Sequence, residues 1–117
     1  MAYARLLLSG STSGRQIPVA ATATPGTLIH TAVAGAASFD EVYLWAVNVT
    51  NAARTVTVEW GGVGDPGDHA VKTYTLPPYS PRIPIVTGEV LNGGLVVRAF
   101  CDSASGVNIG GFVNRIS

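Results

Sequence analysis

Apolar residues recur at every second position in short runs, and each run stops at glycine, proline, asparagine or serine. Such alternation turns one side of an extended segment towards a core and the other away from it, the mark of a half-buried strand. The cleanest run is Arg54-Thr55-Val56-Thr57-Val58-Glu59-Trp60, with Val56, Val58 and Trp60 on one side and Thr55, Thr57 and Glu59 on the other. Residues 41–49 are β-branched or aromatic on both sides, which predicts a strand covered on both faces by its own fold or by a neighbouring subunit. Asn51-Ala52-Ala53 lies between these runs and is short enough to join them as a hairpin. Further strands are predicted at 4–9, 15–20, 27–33, 70–76, 82–86, 95–102 and 107–115. Pro18 and Pro84 interrupt two of them, and proline cannot donate to a ladder, so those segments belong at sheet edges or in loosely paired arms.

No stretch keeps a helical period over three turns. The prediction is an all-β chain: a single antiparallel β-sandwich spanning 1–117, jelly-roll-like, with about eight or nine short strands. A small barrel is the second choice. Residues 1–24 are expected to form an extended N-terminal arm or a pair of edge strands.

Composition changes the picture in one respect. Only 12% of the residues are charged while 47% are hydrophobic, whereas roughly a quarter of an ordinary domain is charged. A chain this short is expected to have more apolar side chains than one modest core absorbs, leaving a surplus for contacts with other subunits or a scaffold. Seven basic residues balance seven acidic ones, and Lys72 with six scattered arginines forms no cluster. Neither a duplex backbone nor an anionic membrane is therefore an expected partner. The N-terminal apolar run is too short for a secretion signal, and no run reaches the roughly 18 residues of a membrane span.

Candidate chemistry is thin. Gly61-Gly62-Val63-Gly64-Asp65-Pro66-Gly67-Asp68-His69 offers Asp65, Asp68 and His69 as oxygen and nitrogen ligands, but lacks the carboxylate alternation of a calcium loop and reads as a solvated turn. Its glycines do not lead into a helix, so they do not form a phosphate cradle. His30 is expected to be a satisfied or surface histidine, adjacent Asp40 and Glu41 should face opposite ways, and Cys101 reads as a buried, inert thiol. No catalytic, cofactor-binding or metal-binding residue is predicted. The aromatic residues Tyr3, Tyr43, Trp45, Trp60, Tyr74 and Tyr79 would suit a sugar platform only if several shared one face; core packing or a subunit interface is the expected use.

Several segments together carry a family likeness: Gly14-Arg15-Gln16-Ile17-Pro18-Val19 continuing to Ala32, Asp40-Glu41-Val42-Tyr43-Leu44-Trp45-Ala46-Val47-Asn48, Val58-Glu59-Trp60-Gly61-Gly62, Asn92-Gly93-Gly94-Leu95-Val96-Val97-Arg98-Ala99-Phe100, and Gly110-Gly111-Phe112-Val113-Asn114-Arg115-Ile116. The chain resembles small virion structural proteins of tailed bacteriophages. The resemblance implies a capsid decoration (cement) protein, made in the host cytoplasm and placed on the capsid exterior. It would form a homo-oligomer, a trimer ahead of a dimer, and bridge subunits of the major capsid protein. A tail or head–tail junction protein is the alternative implied, and a carbohydrate-binding β-sandwich module is a third. The large residues expected at interfaces are Leu6, Leu8, Ile17, Trp45, Tyr79 and Phe112. The N-terminal arm is expected to add a strand to a neighbour's sheet edge.

Overall fold

The computed structural model describes residues 3–117. It contains nine strands: β1 (Tyr3–Leu6), β2 (Ile17–Pro18), β3 (Thr27–Thr31), β4 (Phe39–Asn48), β5 (Arg54–Trp60), β6 (His69–Leu76), β7 (Ile83–Leu91), β8 (Val96–Cys101) and β9 (Val107–Ile116). Each falls on a run that alternation marked. They form two packed antiparallel sheets, one ordered β1-β9-β4-β7 with β2 also on β9, the other β3-β8-β5-β6. The pairs nest: β1 and β2 with β9, β3 with β8, β4 with β7, β5 with β6. The chain thus folds as one long doubled ribbon rolled over itself, which is the jelly-roll arrangement, with β1 and β2 sharing the place of a first strand.

The core lies between the sheets. From the first sheet come Val42, Leu44, Ala46, Ile109 and Val113; from the second come Ile29, Val56, Val58, Leu76, Val97 and Ala99. Leu8, Ile17, Val19 and Cys101 complete it, and Cys101 Sγ also donates to Ser103 O. Pro18 and Pro84 both sit on edge strands, as the missing N–H requires.

Three expectations change. The hairpin between 41–49 and 54–60 does not form: β4 and β5 belong to different sheets, and residues 49–53 make an arch between them. Asn48 is the cause. Its buried side-chain Nδ2 donates to Ala52 O, Leu76 O and Pro77 O, while Oδ1 accepts from Thr50 N–H and Oγ–H. These bonds turn the chain across the sandwich instead of back along the same sheet.

Of the two forms expected for residues 1–24, the described part takes that of edge strands on its own sheet and not of a free arm reaching a neighbour. Tyr3–Leu6 and Ile17–Pro18 pair in succession along β9, and the loop between them returns through buried Leu8. Burial of Leu8, Ile17 and Val19 holds this segment on its own chain.

β7 runs on to Leu91, five residues past the expected end at Val86, because Gly88 is accommodated as the extra residue of a β-bulge and pairing continues beyond it. Val42 pairs with Glu89 and Tyr43 with Thr87, leaving Gly88 (φ 97°) unpaired in a conformation that glycine adopts without steric cost.

Candidate functional site

On β4 the alternation sends Val42, Leu44 and Ala46 inward and Glu41, Tyr43 and Trp45 outward. Register places Asn114, Phe112 and Gly110 of β9 beside those three outward residues in turn. The rings of Tyr43 and Phe112 stack, with centroids 4.8 Å apart and planes 16° from parallel, and Trp45 tilts against Phe112 at 6.4 Å. Gly110 makes room for the Trp45 ring. A Cβ there would stand 2.5 Å from Trp45 Nε1 and 2.5 Å from Gln16 Nε2, so the indole and the Gln16 carboxamide lie across bare backbone.

Two guanidinium groups cap this layer. Arg5, carried by edge strand β1 opposite Asn114, lies 4.6 Å from the Phe112 centroid, and Arg82, just before β7, lies 4.6 Å from the Trp45 ring. Both side chains belong to exposed residues. A polar chain runs beneath: Asn114 Oδ1 accepts from Arg5 Nε, Asn114 Nδ2 donates to Glu41 Oε1, and Tyr43 Oη–H donates to the same oxygen at 2.9 Å. That last bond, with partial burial and the negative charge of Glu41, holds the Tyr43 phenol above its ordinary range. Trp45 Nε1 has no hydrogen-bond partner, although the Gln16 amide is its neighbour.

The expected interface residues separate into three groups. Trp45 and Phe112 meet in this layer. Leu8 and Ile17 are core residues, 3% and 5% exposed, and Leu6 is half-buried against the same core; none of these three presents a free apolar surface. Tyr79 is exposed but lies elsewhere, in the β6–β7 connection, with its N–H donating to Thr50 O. Arg5, Gln16 and Arg82 were not singled out by sequence, because the ring each one covers comes from a strand far along the chain. Trp45 and Trp60 do not share a face: they lie in different sheets, and Trp60 packs against the core.

A second polar cluster lies inside. Asp40, fully buried, accepts from Arg115 Nε at 2.7 Å and Arg115 Nη2 at 2.9 Å, from Val33 N–H, and from His30 Nε2 at 2.7 Å. His30 Nδ1 accepts from Ser9 N–H, so the imidazole is the neutral Nε2–H tautomer with both nitrogens engaged. It has no free lone pair with which to take a proton from a substrate. Burial raises the Asp40 pKa, but the hydrogen bonds from Arg115 and His30, together with the positive charge of Arg115, outweigh it, and the carboxyl ends below its ordinary range.

In the β5–β6 loop the carboxylates serve the loop itself. Asp65 pairs with Lys72 at 2.8 Å, Asp68 Oδ2 accepts from Gly64 N–H, and His69 stands edge-on to Phe100. Among the described residues no three His, Cys, Asp or Glu side chains are grouped to hold a metal ion. Hollows in the surface are small, the one lined by Thr22, Thr55, Thr57, Thr73 and Phe100 enclosing about 220 Å³. No protein-family model matches this chain, and no curated protein or solved structure does so either.

Proposed function

We propose that this chain is a structural protein of a tailed-phage virion, a capsid decoration protein that docks on the assembled shell and bridges major capsid protein subunits. The observation that carries the reading is the outward aromatic layer of Tyr43, Trp45 and Phe112 under Arg5 and Arg82. Aromatic residues and arginine are the types that dominate protein–protein hot spots, and this layer combines both on one rigid sheet face. The low charge content supports the same use. The fold alone does not select it, since jelly rolls also serve lectins and cupins.

A sugar platform needs ring faces open to stacking. Here Phe112 has Tyr43 on one side and Arg5 close by, and Trp45 carries Arg82, which favours a protein partner over a glycan. The homo-oligomer implied by the family resemblance remains part of the proposal, with folded copies meeting on the shell. Quantitative mass spectrometry of purified virions tests the reading. A copy number comparable with the major capsid protein is expected; a single ring's worth would assign the chain to the tail or the head–tail junction, and absence from the particle would refute both.

A further inference from the structure

We infer that the outward face of the first sheet recognises carboxylates on the shell protein, with Arg5 and Arg82 as the reading groups; this rests on the decoration reading and names the chemistry of its partner. Although the chain is neutral as a whole, three of its six arginines gather on or beside this face. Arg5 and Arg82 lie on the aromatic layer, and Arg15 stands beside Gln16 at its rim. Against these three guanidinium groups the same face holds one carboxylate, Glu41, already engaged by Tyr43 and Asn114. Glu89 of β7 turns away, into a hollow lined also by Trp60 and His69. Among the described residues Arg5, Arg15 and Arg82 have no ion-pair partner, as is also true of Arg54 and Arg98 on the second sheet; what sets the first face apart is the pair of guanidinium groups over its rings.

A guanidinium held over a ring is partly desolvated, and its planar fork of N–H donors matches a carboxylate bidentately. Two such forks on a stiff sheet lose little freedom on docking. Phosphate would fit one fork equally well, but a nucleic-acid backbone needs a basic track, and this face has only isolated arginines with Glu41 among them. A second copy of the chain is a poor occupant because all but one of its acidic groups are committed, exposed Glu89 being the exception among the described residues. Asp65 is paired with Lys72, Asp68 bonds Gly64 N–H, Glu59 is buried against Thr24 and Gly26, and Asp102 bonds Thr55 N–H.

The test is binding of the purified protein to shells of the encoding phage that lack it, at rising salt, with Arg5→Gln, Arg82→Gln, the double variant and Arg82→Lys. Circular dichroism melts of the free variants confirm that they fold. Wild-type binding should weaken as salt rises, and the double variant should bind about a hundredfold more weakly. Arg82→Lys, which keeps the charge but loses the fork, should bind about tenfold more weakly. Folded variants that bind within twofold of wild type would overturn the inference while leaving the decoration role intact. Wild-type protein that binds no shell would instead defeat the decoration role itself. Self-association abolished by the same substitutions, or displacement of the protein from shells by added duplex DNA, would show that the face serves another partner and would also overturn the inference.

Discussion

Asp40 gathers donors from three separate parts of the chain: Arg115 on β9, His30 on β3 and the Val33 N–H. Replacing it by asparagine removes the charge and turns an N–H₂ donor towards groups that are themselves donors. The carboxylate is buried but the Arg115 side chain is 35% exposed and can be resolvated, so Asp40→Asn should destabilise the protein by about 1–3 kcal/mol, read from the urea midpoint. The pH dependence has a definite sign. Because the folded carboxyl lies below the ordinary value of 3.8, the unfolded chain takes up the proton first as pH falls. The stability from Asp40 is therefore complete above the unfolded pKa and is lost as pH falls through the folded one. Urea titrations from pH 6 down to about pH 3 should show this loss in the wild type and a shallower one in Asp40→Asn. At the outward face, Gly110→Ala drives a methyl into Trp45 and Gln16. It should cost about 1–3 kcal/mol and shift the tryptophan emission as the indole is displaced. The sequence left His30 as either a satisfied or a surface histidine; its burial and its partners, Asp40 and the Ser9 N–H, come together only in the folded sandwich.

Strand positions were readable because alternation and turn residues are local signals, and all nine strands fall on marked runs. Partner choice was not readable. The short Asn51-Ala52-Ala53 connection suits a hairpin by length, but the Asn48 side chain makes three bonds to carbonyls on two segments and sends β5 to the opposite sheet. A side chain reaching Leu76 and Pro77 leaves no trace in the residues around it. Asn48→Ala would strand those buried carbonyls together with Thr50 N–H, and should destabilise the protein by about 2–4 kcal/mol in urea unfolding while leaving the docking face unaltered. The first two strands obey the same logic. Deleting residues 1–24 takes Leu8, Ile17 and Val19 from the core and bares one side of β9. The truncated chain should lose its cooperative thermal transition, where removal of a free arm would leave that transition unchanged.

At the scale of the whole molecule, the charge-poor composition implied a surplus of apolar surface, and large hydrophobic residues do stand exposed, Tyr79, Tyr3 and Leu7 the most, although the total area is that of a compact monomer. The structure exposes 5773 Å², close to the roughly 6000 Å² of a compact monomer of this mass. The core itself is built largely of small residues that two thin sheets can enclose, among them Ala32, Ala46, Ala99 and eight valines. What distinguishes the surface is arrangement: rings and guanidinium groups concentrated on one sheet face, with Glu41 the one carboxylate beside them and most of the other acidic groups engaged in loops and internal pairs. Folding and docking are then separable. An obligate oligomer, folded only in company, would melt at a temperature that falls as it is diluted. This chain joins its own ends by pairing β1 with β9 and closes its core without a partner. Its melting temperature should therefore stay constant within about 1 °C over a hundredfold dilution, measured by circular dichroism at high concentration and tryptophan fluorescence at low. A midpoint that fell with dilution would mean that the sandwich depends on a neighbour after all, and that the outward face of the first sheet is part of a shared core.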